Sequence, residues 1–181
     1  VDAALVAQGG EALVEPFAQA ALGLVRQGAA AIATSCGFLA TLQPQLAARV
    51  PVPVATSALL QIPSILRLLP PGRTVGIVLS QPSTLAPQLR ALGLPPDLPM
   101  AALAEDSAML RDLRAGRSPI APEIHRRDLL ATAEWLLLRH PEVGALVLEC
   151  ANFPPHSRAL SAAFIARLCS IRQLEIEKVR T

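Results

Sequence analysis

Two patterns alternate along this chain and leave it few folds to choose from. Short apolar runs ending in a small polar residue are separated by longer stretches with apolar side chains at helical spacing. Residues 29–34 (Ala-Ala-Ala-Ile-Ala-Thr), 52–55, 74–79 (Thr-Val-Gly-Ile-Val-Leu), 100–103 and 145–149 (Ala-Leu-Val-Leu-Glu) form the first set. Their length and lack of polar alternation suit strands buried on both faces. Residues 10–27, 37–49, 58–69, 85–92, 106–115 and 122–140 form the second set and read as helices, with Gly28 and Gly93 at the positions that end the first and fourth. Pro63 should bend the third, and the last, an amphipathic helix, carries the only Trp. Strands alternating with helices predict an α/β fold with mainly parallel sheets flanked by helices.

Composition narrows the functional classes. The chain has 181 residues, 52% hydrophobic and 17% charged, enough for one α/β domain or two small lobes, and disorder is not expected. No apolar run reaches the roughly 18 residues a membrane span needs. Val1 and Asp2 carry no basic leader pattern, so the expected location is cytoplasmic. The net charge of +2 favours no polyanion. The arginines at 111, 114, 117, 126 and 127 are interleaved with Asp112, Glu123 and Asp128 and read as a solvated helix face. With 3% aromatic residues there is no stacking platform for bases, so neither nucleic acid nor membrane is an expected partner.

Three cysteines, Cys36, Cys150 and Cys169, make an odd number without C-x-x-C spacing, which argues against a disulfide framework and a zinc ribbon. A metal site built on Cys36, Cys150 and His156 fits no ligand template, so no metal is expected. Cys169 sits in a helical run beside Leu168 and Ile171, where packing accounts for it. His125 and His140 are expected in solvated or capping roles. Cys36 and Cys150 differ from Cys169, because each falls just past the C-terminal end of an apolar run and ahead of a helix. In parallel sheets ligands bind beyond the carboxyl ends of the strands. Free N–H groups and a helix dipole there favour a thiolate and can hold a carboxylate. Pro154 and Pro155 suit the first turn of the second such helix. A lone cysteine at a strand tip is commonly a packing residue. The paired contexts Ile-Ala-Thr-Ser-Cys-Gly-Phe and Val-Leu-Glu-Cys-Ala-Asn-Phe suggest two related halves.

Two stretches carry a family resemblance. The segments Thr34-Ser35-Cys36-Gly37-Phe38-Leu39-Ala40 and Pro51-Val52-Pro53-Val54-Ala55-Thr56-Ser57-Ala58-Leu59-Leu60 resemble the first half of the aspartate/glutamate racemase-like superfamily. The segments His140-Pro141-Glu142-Val143-Gly144-Ala145 and Leu148-Glu149-Cys150-Ala151-Asn152-Phe153-Pro154-Pro155 resemble its second half. That group includes amino-acid and hydantoin racemases, maleate isomerases and arylmalonate decarboxylases. The resemblance extends over most of residues 10–162. It departs from the group in three places. The family's first strand and long loop do not appear after Val1, a strand expected near Ala163 and Phe164 is replaced by helical sequence, and Ala151 stands where the family commonly has Thr.

The resemblance implies one racemase-like unit over 1–181, lacking that first strand, with two pseudo-symmetric lobes, approximately 1–72 with the C-terminal helix, and 73–163, and the active site between them. It implies a cofactor-independent racemase or isomerase acting on the α-carbon of a small carboxylate. Cys36 and Cys150 would be the acid/base pair flanking that carbon. Ser35, Gly37, Ser57, the Ala151 N–H and Asn152 would hold the substrate, with N-capping an equal role for Ser57. The alternatives within the resemblance are a maleate-type isomerase or a decarboxylase using one cysteine, or a catalytically impaired small-acid-binding protein. Assembly into a homo-oligomer is left open.

Overall fold

The computed structural model describes residues 11–34, 37–82, 85–116 and 122–164. These contain seven α-helices and five strands, all strand pairs being parallel, in two compact units. One unit comes from the chain up to Leu60 together with the segment that ends at Pro96. The other begins at Gln61 and resumes at Asp97.

In the first unit, α1 (Val14–Arg26) buries Val14, Ala18 and Ala21 along one face. It ends where expected: Gly28, at φ 95°, donates its N–H to Val25 O, and Ala29 donates to Leu24 O. This double closure needs a left-handed residue, which glycine adopts without a Cβ clash. Gly93 repeats it behind α4 (Ala86–Ala91), donating to Arg90 O while Leu94 donates to Leu89 O. The strands β1 (Ile32–Ala33) and β2 (Val54–Ala55) have only two residues each and are not buried on both faces, since Ala33 is exposed and Ile32 half-buried. Pro51 and Pro53 have no N–H to give a ladder, and the short pairing is flanked by Ile32 N–H on Pro53 O and Thr34 N–H on Ala55 O.

Helical segments 37–49 and 58–69 each divide at a proline rather than bending. A 3₁₀ turn, Gly37–Leu42, precedes α2 (Gln43–Ala47), and another, Ala58–Gln61, precedes α3 (Ile62–Leu68). Pro44 and Pro63 stand in the first α-helical turn, the place where a missing N–H costs nothing.

The second unit is organised on β3 (Thr74–Leu79), in which Val75 to Leu79 are all buried. It lies between β4 (Met100–Ala102) and β5 (Val143–Leu148), in the order β4-β3-β5. The chain crosses from β4 to β5 through α5 (Ala108–Arg114) and α6 (Pro122–Arg139), and α6 packs Leu129, Ala133, Leu136 and Leu137 into the core. Ser107 caps α5 by accepting the Leu110 N–H, and Asp128 of α6 accepts the Met109 N–H. Arg73 fastens the sheet's start to β5, donating to Pro141 O and Val143 O, both at 3.0 Å. After β5, a 3₁₀ turn (Pro154–His156) leads into α7 (Ser157–Phe164), whose Leu160 joins the same core. Among the described residues no helix is long and apolar enough to cross a membrane.

Candidate functional site

Cys150 lies just past the C-terminal end of β5, as its sequence position implies. Glu149 still belongs to the sheet through its N–H on Val78 O. The backbone then turns sharply, with Phe153 N–H on Cys150 O at 3.0 Å and His156 N–H on Phe153 O at 2.9 Å. Phe153, with no exposed surface, anchors this turn in the core. Its burial holds Cys150, Ala151 and Asn152 in one short loop. The Cys150 thiol is free and half-buried, resting partly on the core cluster. Asn152 directs its Nδ2 donor to the Cys150 sulfur at 3.5 Å. Ala151 and Asn152 are exposed, so the sulfur is flanked on one side by core and on the other by a polar loop at the surface. That arrangement can support a nucleophile or a proton carrier.

The other predicted residues fall in the first unit, except that Ser35 and Cys36 lie outside the described residues, as does Cys169. Gly37 opens the 3₁₀ turn after β1 and is buried, while Ser57 follows β2. Because β1 and β2 are adjacent and parallel, with Ile32 opposite Val54 and Ala33 opposite Ala55, both residues issue from the same carboxyl edge. Ser57 is 7% exposed, and its Oγ accepts the Leu59 N–H at 3.1 Å, so it caps the following turn.

Several groups around these loops were not legible as site residues. Gln43, at the start of α2, donates to Val54 O at 2.8 Å and accepts both the N–H and the hydroxyl of fully buried Thr56, at 3.0 and 2.9 Å. Thr34 Oγ1 donates to Thr56 O, so a polar clasp sets the path of the chain into Ser57. Nearby in sequence, Thr41 Oγ1 and Gln45 Oε1, together with Gln88 Oε1 of α4, are buried without a hydrogen-bond partner. In the second unit Glu149 is 5% exposed directly before Cys150. A carboxylate closing an apolar strand is the only sequence signal for it.

His125 corrects the sequence reading. It is not solvated but 4% exposed, with Nε2 2.8 Å from Asp112 Oδ2, and its ring meets that of His156 edge-on at 6.5 Å between centroids. Burial, then the positive potential of His125 and Arg126, lowers the His156 pKa below the ordinary histidine value. His140 is partly exposed beside Glu142 at 3.1 Å, in keeping with a surface role.

A cleft of about 820 Å³ in the second unit lies beside β4, α5 and α6, and none of the predicted site residues lines it. Among the described residues no three His, Cys, Asp or Glu side chains gather as a metal site. Compared with family models and with curated proteins, the chain matches none.

Proposed function

We propose that this chain is a cofactor-independent enzyme that moves a proton on the α-carbon of a small carboxylate, with Cys36 and Cys150 as its acid/base pair. The observation that carries the reading is the seat of Cys150. It is a free, half-buried thiol beyond the carboxyl end of a parallel strand, with the Asn152 amide aimed at its sulfur. A donor in that place suits a sulfur that carries negative charge during part of a cycle. In the reaction one thiolate takes the α-proton and becomes a thiol. The resulting carbanion delocalises into the substrate carboxylate, and the second cysteine returns a proton to the opposite face. The carboxylate would be held by the Ser35, Gly37 and Ser57 segment and by the Ala151 N–H and Asn152. On this reading the two strand–Cys–helix segments are related halves, each supplying one cysteine.

The test is proton exchange. Amino acids, hydantoins and dicarboxylates are incubated with the protein in deuterated water and followed by proton NMR. Loss of an α-proton signal from one compound class, absent with protein alkylated by iodoacetamide, supports the proposal. No exchange with any class would leave Cys150 as a packing residue of the core.

A further inference from the structure

The long helix α6 presents apolar side chains on two faces. One packs into the core of its unit. The other exposes Ile124, Trp135 and Leu138, at 39%, 52% and 76%. With Arg127 and Ala131, both exposed, these residues form a continuous stripe along a helix about 27 Å long. Three large apolar side chains aligned this way are uncommon on an uncovered surface.

The order of residues about Ala131 points to what covers the stripe, because positions equidistant from it are chemically complementary. Four residues either side stand Arg127 and Trp135, seven either side Ile124 and Leu138, and eight either side Glu123 and Arg139. All of these offsets fall on one helix face. We propose that α6 pairs antiparallel with α6 of a second copy of this chain, crossing at Ala131. In that arrangement each position meets its mirror. Ile124 packs on Leu138, Arg127 lies over the Trp135 ring, and Glu123 pairs with Arg139, each contact made twice. Ala131 meets its own copy, and its small side chain permits the usual 8–10 Å approach of two helix axes. Within one chain Arg139 already stacks on Trp135, its guanidinium carbon 5.4 Å from the ring centroid, so the second copy's Arg127 takes the other ring face. Asp128 and Glu134 are the one like-charge match, and Asp128 Oδ2 is already held by the Met109 N–H.

The neighbouring cleft of about 820 Å³ fits the same occupant. Its α6 wall includes Ile124, Arg127, Ala131 and Trp135 of this stripe, and its other wall follows the start of α5 and β4, which pairs only with β3 among the described residues. Three of the polar side chains that line it are engaged within the unit: Ser107 Oγ accepts Leu110 N–H, Asp128 Oδ2 accepts Met109 N–H and Thr132 Oγ1 donates to Asp128 O. The inference is independent of the chemistry proposed for Cys150.

The test uses the full chain in sedimentation velocity over a wide concentration range. A dimer is expected. Glu123→Arg and Arg139→Glu alone should each weaken it by about tenfold, since two exposed pairs turn repulsive. Combined, they should restore it to within about threefold. Trp135→Ala should weaken it more than tenfold. Ala131→Cys should give a disulfide-linked dimer that neither the unaltered chain nor Arg126→Cys forms. A monomer at every concentration would overturn the proposal, as would a dimer indifferent to the single charge reversals. So would a monomer whose Trp135 emission shifts when the residues after Phe164 are removed, because the chain's own tail would then be the cover.

Discussion

Phe153→Ala examines whether the loop carrying Cys150 is held by the core. Phe153 is fully buried among Leu129, Leu136, Leu146 and Leu160, and its N–H and C=O both close the turn that follows Cys150. Truncating a buried Phe removes its transfer energy and leaves a cavity, together about 3–5 kcal/mol. At about 2–4 °C per kcal/mol for a chain of this size, melting should fall by roughly 6–20 °C. Phe153→Leu keeps most of the volume and should cost about 1.5 kcal/mol or less. Urea unfolding followed by the emission of Trp135, the only Trp and a member of the same unit, reports the loss directly. A cost below about 1 kcal/mol for Phe153→Ala would mean that the ring does not anchor the turn.

Gln43→Leu leaves the buried Thr56 N–H and hydroxyl without their acceptor and should cost about 1–3 kcal/mol, read as faster amide exchange at Thr56; unchanged exchange would remove Gln43 from the clasp. Gly144→Ala places a Cβ 2.9 Å from Leu69 Cδ2 and 3.2 Å from Arg73 Cβ, so the Trp135-detected transition should drop by about 1–3 kcal/mol, and an unshifted transition would contradict that crowding. Because folding lowers the His156 pKa, the unfolded chain binds a proton more readily. Stability should therefore fall as pH drops below about 6.5, down to the lowered folded value, and His156→Gln should flatten that slope. An identical pH profile for the variant would assign the acid sensitivity to other groups.

What could be read from the residues follows from how locally each feature is determined. Strand β3 was legible to the residue because Pro70-Pro71-Gly72 and Ser80 bound an unbroken apolar run, and the helix ends at Gly28 and Gly93 rest on one residue's conformational freedom. The first two strands are shorter than their apolar runs, and around β2 Pro51 and Pro53 remove donors that an apolar run alone does not reveal. Cys150 at the tip of β5 was legible, whereas the Asn152 amide on its sulfur comes from the turn geometry. The burial of His125 is not legible from its own helix, because its partner, Asp112, arrives from another one. The sequence reading of α6 as amphipathic is corrected: apolar side chains lie on two opposite faces and cancel, and the second face shows only once the core-facing side is known.

The proposed division of work between two thiols is decided by single-turnover exchange in deuterated water with Cys36→Ser and Cys150→Ser. Under the proposed mechanism each variant would keep one base, on one side of the α-carbon. Racemisation should vanish in both, while deuterium still enters one enantiomer with Cys36→Ser and the other with Cys150→Ser. The lost direction should fall by about 10²- to 10⁴-fold. Full turnover by Cys36→Ser, with Cys150→Ser inactive in both directions, would contradict the two-base account and leave a single-cysteine mechanism in its place.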